Sequence, residues 1–429
     1  MRVLFNRLRQ FLSSRLWIWP LVLGLLALLA GSYLGSLELP QDGTLAKYLW
    51  PGSAQSASDM ISMIFSTALT VLTTTISMTL IVLQVASGNF SHQLLRDFIQ
   101  SRAVRGIISV YVFIICYSVA ALRSIHTTDI DRPPQLAVTV AILLIFIAVV
   151  TFIWYVAKVV EMVRVDSVIS KSITKSAAVA RRVDKQTRED VKRPEVPGDA
   201  HRVISDGFGY IQTIDVEHVA TWAKENNATV VIDCRPGDMM IVGMTWARYW
   251  FNEPKHDEPS FPEAVYLDDG RISGADYTLG LRQVLDIGVR ALSSGVNDPT
   301  TAVHAIGQCS TILRDLVKNP IYPQVKRDEN DRLLVWAAAR ELEEIIDDFC
   351  GEIRRNGSDE PLVVISLLQV LESVYSVGDQ NIKRFVVKQQ KRIIAAAEKH
   401  IEDPVDLESV KKAAWEEDLL KDPPPDSGV

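Results

Sequence analysis

Four long stretches of this chain carry no Asp, Glu, Lys or Arg, and nothing else in the sequence limits its possible folds so strongly. They lie between Arg15 and Glu38, Asp59 and Arg96, Arg105 and Arg123, and Arg132 and Lys158. A helix crossing ~30 Å of hydrocarbon needs roughly 20 apolar residues, and each stretch supplies about that many. The predicted transmembrane spans are 16–36, 60–86, 104–122 and 135–157. Charge is segregated accordingly. Residues 1–158 hold 11 Lys and Arg and 6 Asp and Glu, whereas residues 159–429 hold the other 34 and 46. A nearly uncharged third thus precedes an acidic soluble body. That partition excludes an ordinary cytosolic protein, a disordered chain and a secreted disulfide scaffold. It also excludes a protein that grips nucleic acid through bulk positive charge.

The first stretch follows Arg2, Arg7, Arg9 and Arg15, as a signal peptide would, but it is long, and Leu28 and Ala30 make a poor cleavage site. It is read as a retained anchor. Cations in the loops set the orientation. The N-terminus, the 87–105 loop (Arg96, Arg102, Arg105) and the segment from Lys158 to Lys185 are rich in them, while 38–59 offers only Lys47. In 123–134, Arg123 and Arg132 are offset by Asp129 and Asp131. Both termini, and everything after 158, are therefore expected in the cytoplasm, with the spans in a bacterial inner membrane.

Span two, ISMIFSTALTVLTTTISMTLIVLQVA, differs from the others. Spans one, three and four are rich in Leu, Ile, Val, Ala and Phe, with Trp17, Trp19, Trp154 and Tyr155 placed as interfacial anchors. In span two, Ser66, Thr70, Thr73, Ser77 and Gln84 recur at steps of four, three, four and seven, so they share one helix face. Two readings stand side by side. The face packs against neighbouring helices through small hydrogen-bonding side chains, or several copies of it surround a hydrated pathway. Apart from Arg105 at the very edge of span three, no Asp, Glu, Lys, Arg or His lies within any span, although such groups usually mark proton-coupled transport. Passive pores and plain anchors remain.

After span four, 158–204 reads as an amphipathic connector ending in Pro194, Pro197 and Gly198. Residues 205–275 form a small mixed α/β module, with strands at 209–215, 230–234 and 239–246 around a helix at 216–227. From 276 to 421 the pattern is all-helical, with helices near 277–292, 299–317, 331–354, 360–376, 380–401 and 405–420. The tail 422–429 is expected to be disordered. The fold class is therefore a four-helix membrane bundle, then a cytoplasmic α/β module and a helical domain.

Catalytic signatures are absent. Cys116, Cys234, Cys309 and Cys350 form no CxxC, the seven histidines give no HxxxH or HExxH, and there is no GxxxxGK[ST] loop. No catalytic residue, metal site or cofactor is assigned. Glu341, Glu344 and Asp348 share a helix face that would suit a divalent cation or, more simply, water. The densest segment runs from Asp276 to Ala302. Arg282, Asp286 and Arg290 make an i, i+4, i+8 charge ladder, the chain turns over Ser293 to Asn297, and Asp298 caps a helix that starts at Pro299. The corner is either an anion or ligand site or a well-capped helix–turn–helix junction, and the Asp298 carboxylate at the positive helix end weakens the anion reading.

Val289 to Ala302, VRALSSGVNDPTTA, resembles the hallmark LRALSPGxNDPxTA of a bacterial family of predicted membrane proteins, domain of unknown function 2254. Ser87 to Phe98 resembles the family's loop after span two, and Gly209 to Asp215 is a third match. Ser294 departs from the usual proline, and His92-Gln93 stands where Pro-Arg is common. The resemblance implies the topology and brings no substrate, cofactor or catalytic residue. From the residues, the leading expectation is a homo-oligomeric, channel-like membrane protein that conducts ions along span two and is gated by its cytoplasmic domain. The alternative is a membrane-anchored sensor or scaffold whose cytoplasmic domain binds a ligand or partner. The lipid bilayer is a partner in both, and nucleic acid in neither.

Overall fold

The computed structural model describes residues 17–37, 49–89, 101–127, 134–184, 191–253, 259–271 and 274–415. The chain divides into two compact units, Met1–Ser167 and Val168–Val429.

The first unit is built of α1 (Ile18–Ser36), α2 (Ala54–Asn89), α3 (Arg102–Thr127) and α4 (Gln135–Val163). Stretches of all four are long and apolar enough to cross a bilayer: Ile18–Ser36, Ala54–Gln84, Ala103–Ile125 and Gln135–Glu161. Each predicted span falls on one of them. Helix α3 packs against the other three and contributes Ile107, Tyr111, Ile114 and Tyr117 to the shared core. Its seam with α1 is made by small residues. Gly24, Ala27, Gly31 and Gly35 are buried on α1, and a Cβ on Gly31 would lie 2.7 Å from Ala120 Cβ and 2.9 Å from the Tyr117 carbonyl oxygen. Among apolar helices in lipid, backbone approach of this kind supplies the packing that hydrophobicity alone cannot. Trp17, Trp19 and Trp154 are exposed, as anchors should be, but Tyr155 is fully buried. It faces the bundle interior and hydrogen-bonds Thr79 Oγ1, because a phenol in this setting needs a partner.

The second unit opens with Val168–Asp184 of α5 (Val165–Asp184), which follows α4 after a single extended residue, Arg164. Next come β1 (His201–Ile204), β2 (Gly209–Ile214), α6 (Val216–Glu225), β3 (Ala228–Ile232), β4 (Met239–Met240), β5 (Thr245–Phe251) and β6 (Val265–Asp268). Helices α7 (Leu279–Ala291) and α8 (Pro299–Lys318) precede β7 (Gln324–Arg327) and β8 (Leu333–Ala337). The chain then runs through α9 (Leu342–Gly357), α10 (Pro361–Tyr375), α11 (Gln380–His400) and α12 (Pro404–Ala413). One sheet has the order β1-β5-β3-β8-β7, and a smaller one β4-β2-β6.

The all-helical reading of 276–421 is corrected here. Residues 324–337 form two strands, and β8 lies parallel to β3 in the middle of the five-stranded sheet, with Val230 opposite Val335 and Ile232 opposite Ala337. Leu333-Leu-Val-Trp-Ala337 is a short continuous apolar run, buried from Leu334 onward, and periodicity cannot separate such a strand from a buried helix turn. The α/β module is therefore completed by a strand about 60 residues beyond its predicted end at 275. The predicted strand 239–246 also divides. Ile241 to Met244 form a turn in which Gly243 has φ +85°, and β5 begins at Thr245. The tail 422–429 and much of the 87–98 motif lie outside the described residues.

Candidate functional site

Helix α2 carries the predicted polar face. At 3.6 residues per turn, the buried side of α2 runs through Ala57, Ile61, Ile64, Ala68 and Thr75, and the hydroxyl side lies about half a turn away. Ser66, Thr70, Thr73, Ser77 and Gln84 are all exposed. The structure brings them together on one face and packs none of them against the helices of the same chain. The hydroxyls of Ser66, Thr70 and Thr73 instead bond back along α2. Ser66 Oγ donates to the Ser62 carbonyl, Thr70 Oγ1 to that of Ser66 and Thr73 Oγ1 to that of Leu69, each at 2.9 Å.

The exposed stripe is longer than the five residues read from sequence. Asp59, Ser66, Thr73 and Leu80 form one row at steps of seven, and Met63, Thr70, Ser77 and Gln84 form a second, offset by four; all eight are exposed. Two rows offset by four within a seven-residue repeat are the pattern of a helix–helix seam. The repeat is present in the sequence, but the apolar Met63 and Leu80 and the acidic Asp59 interrupt its hydroxyl pattern. Polar groups also line the bundle interior. Tyr111 donates to the Ala148 carbonyl at 3.1 Å and Tyr117 to the Ala137 carbonyl at 2.9 Å. Thr75 Oγ1, at 1% exposure, finds no hydrogen-bond partner among the described residues.

The second candidate is the corner at 282–298. Arg282 Nε lies 2.8 Å from Asp286 Oδ1, and its Nη1 lies 3.3 Å from Glu352 Oε1 on α9. Burial pushes the Asp286 carboxyl above its usual range while Arg282 beside it pulls the other way. Arg290 lies one turn further along, exposed, as is the loop Ser293 to Asn297. Ser293 Oγ donates to the Arg290 carbonyl at 2.7 Å, and Asn297 takes φ +48°. Asp298 accepts from Thr301 N at 3.1 Å and from its hydroxyl, which holds the Asp298 carboxyl below the usual range. The geometry is that of a self-satisfied corner. Arg282 is matched by two carboxylates, and the α8 N-terminus is occupied by its own cap. Helix α7 is set close to α5 by Gly280, whose N–H donates to Ser176 Oγ at 2.7 Å, and a Cβ there would overlap the Ser172 carbonyl.

A third cluster was missed. The Arg235-Pro-Gly-Asp238 turn reads as a simple connector, yet it anchors an ion network. Arg235 is bidentate to Glu344 at 2.6 and 3.1 Å, and Arg340 Nη2 reaches Asp238 Oδ1 at 2.7 Å. Buried Asp276 is held by Arg271 Nε at 2.9 Å and accepts from Thr278 Oγ1 at 2.8 Å. Tyr277, whose hydroxyl burial pushes up to about 12, accepts from Arg340 N at 3.1 Å. Only the tertiary fold reveals the cluster, since its members span more than 100 positions. It also resolves the acidic helix face: Glu344 is paired with Arg235, and Asp348 lies 3.6 Å from Arg340. Among the described residues no three His, Cys, Asp or Glu are grouped so as to hold a metal ion. Beside this network is a cavity of about 830 Å³, lined in part by Lys192, Tyr277, Lys318, Tyr322, Trp336 and Glu343.

Uncharacterized proteins of Mycobacterium tuberculosis (strains H37Rv and CDC 1551) and of Mycobacterium bovis are each 26% identical to this chain over 418 residues. The alignments cover 94% of this chain and 80% of each relative. No solved structure matches. A family model described as "Predicted membrane protein (DUF2254)" matches residues 13–373, through all four apolar helices and most of the second unit. The chain belongs to this DUF2254 family of predicted membrane proteins.

Proposed function

We propose that this protein is a bacterial inner-membrane protein with both termini in the cytoplasm. In this reading it assembles through α2 into a homo-oligomer, and the α2 helices together line a channel-like path for ions. One observation carries the reading: an eight-position seven-residue repeat is exposed on the side of α2 opposite its own bundle. Such a repeat meets a like helix along a seam, and its hydroxyl side chains permit close approach in lipid. Because Ser66, Thr70 and Thr73 donate to their own helix, their oxygens present lone pairs outward, which suits the solvation of a passing cation. Asp59 closes the stripe at the outer end of the proposed topology, where a ring of carboxylates would favour cations. The acidic second unit would do the same on the cytoplasmic side. No catalytic step, cofactor or metal is assigned.

The test is flux of K⁺ and Cl⁻ from liposomes, wild type beside Thr73→Leu, with disulfide cross-linking of Thr73→Cys to report assembly. Selective flux altered by Thr73→Leu supports the pore. Assembled, oriented protein without flux under voltage or tension sinks it. A second reading, a membrane-anchored sensor, is favoured by the cavity of about 830 Å³, a size typical of small-molecule sites. Its mark would be saturable ligand binding that Tyr322→Ala abolishes while Thr73→Leu does not.

A further inference from the structure

The cavity of about 830 Å³ lies wholly within the second unit, walled by residues of the segments 191–193, 316–323, 336–345 and 377–382. Residues 339–343, which follow β8, line it, and Arg193 on its wall is bound by Asp233, which follows β3. It therefore lies beyond the carboxyl end of the parallel pair β3 and β8, where open α/β sheets place their ligands. Leu316, Trp336, Ile345 and Ile382 give it buried apolar surface, and Trp336 Nε1 donates to the Val191 carbonyl at 3.0 Å. Of the charged side chains on the wall, Arg193 is held by Asp233 at 2.9 Å and Arg340 by Asp238 at 2.7 Å, while Asp379 accepts from Ile382 N at 2.9 Å. The side chains of Lys192, Lys318, Glu341 and Glu343 have no ion pair or hydrogen bond among the described residues.

We propose that this cavity receives a short peptide with free termini, its carboxylate taken by Lys192 and Lys318 and its ammonium by Glu341 and Glu343. This ligand class deepens the sensor reading above and depends on it. The unpaired charges come in both signs and from different elements. Lys192 precedes β1, Lys318 ends α8, and Glu341 and Glu343 stand at the start of α9. A simple anion would face the two glutamates without a counter-charge, and a simple cation the two lysines. A neutral apolar molecule would displace water from all four and replace none of it. A zwitterion answers both signs, through charge-assisted hydrogen bonds that are stronger than neutral ones, and capture of chain ends is a recurring mode of peptide recognition. The volume lies in the range of sites for drug-sized molecules, more than one amino acid fills, which selects a chain of a few residues. Leu316, Trp336, Ile345 and Ile382 suit an aliphatic or aromatic side chain between the two ends.

The test is calorimetric titration of the full chain in dodecyl maltoside with the tripeptides Ala-Leu-Ala and Ala-Phe-Ala, with melting temperature as a second readout. N-acetylated, C-amidated and doubly blocked forms are titrated beside them, as is free leucine. The expected result is saturable binding that either block weakens about tenfold or more, with leucine weaker than the tripeptides. Lys192→Gln with Lys318→Gln should erase the difference between free and amidated peptide. Glu341→Gln with Glu343→Gln should erase that between free and acetylated peptide. None of the four side chains is bonded within the described fold, so both double variants should fold. Blocked peptide bound as tightly as free peptide overturns the proposal but leaves a ligand-binding cavity, and with it the sensor reading. Leucine bound as tightly as the tripeptides overturns the peptide in favour of an amino acid. Neither heat nor a rise in melting temperature from any form also overturns it, and the sensor reading then stands or falls on other ligands tested against Tyr322→Ala.

Discussion

Helices α1 and α2 both carry a stripe of small residues, and they use it in opposite directions. On α1, Gly24, Ala27, Gly31 and Gly35 turn inward and let α3 approach to backbone distance. On α2, Ser66, Thr70, Thr73 and Ser77 turn outward, and the helix packs on its own bundle through Ile61, Ile64 and Ala68. The difference lies in what each side chain needs. Glycine gains only from contact, so it is buried where a neighbour can come close. A hydroxyl bonded to its own helix pays little to stay at the surface, which leaves it available for another helix or for water. Small residues in a membrane helix therefore do not by themselves show which face packs inside the chain.

The comparison can be broken by substitution. The largest effect is expected for Gly31→Leu, where even a Cβ would meet Ala120 and the Tyr117 carbonyl. Overpacking of this seam should cost about 3 kcal/mol, read as a lower melting temperature in detergent. A melting temperature unchanged by Gly31→Leu would show that α1 does not need close approach to α3. The second unit has its own obligate glycine. Gly237 takes φ +91°, and a Cβ there would overlap the Asp276 carboxylate. Gly237→Ala should cost about 2 kcal/mol and loosen the Arg235–Asp238 network, measurable as faster amide exchange in 235–240.

Smaller effects follow at the corner. Asp298→Ala removes the α8 cap and should cost about 1 kcal/mol at neutral pH. The Asp298 carboxyl is held low in the folded state, chiefly by Thr301. Its contribution is therefore full above the unfolded value of about 4 and is lost as pH falls through the lower folded value. The stability difference between wild type and Asp298→Ala should shrink on acidification through that window, as urea titrations at a series of pH values would record. The smallest stability effect is expected for Thr73→Leu, within about 0.5 kcal/mol for the isolated chain, because the side chain touches no neighbouring helix. A large destabilisation there would mean that the stripe packs within the chain after all.

The four apolar helices were legible because a 20-residue uncharged run has few alternatives, and the α2 polar face because helical spacing is rigid. The α8 cap was legible because Asp298-Pro299 is a local signal that needs no tertiary partner. The GxxxG spacing at Gly31 and Gly35 was present but inconspicuous among apolar residues. Strand β8 was misread as helix, because a buried strand in mid-sheet loses the alternation that identifies one. Tyr155 was misplaced for a related reason: amphipathic residues near a span end suit the headgroups and the bundle interior equally, and only the position of Thr79 decides.

The sequence by itself determined which segments are apolar enough to cross a bilayer, that α8 starts at Pro299 and which α2 residues share a face, since each follows from local composition, a local cap or a fixed period. Only the tertiary structure decided that this face turns away from its own bundle and that Arg235, Asp238, Arg340 and Glu344 meet. Those outcomes depend on which distant residues become neighbours, and no local period encodes that.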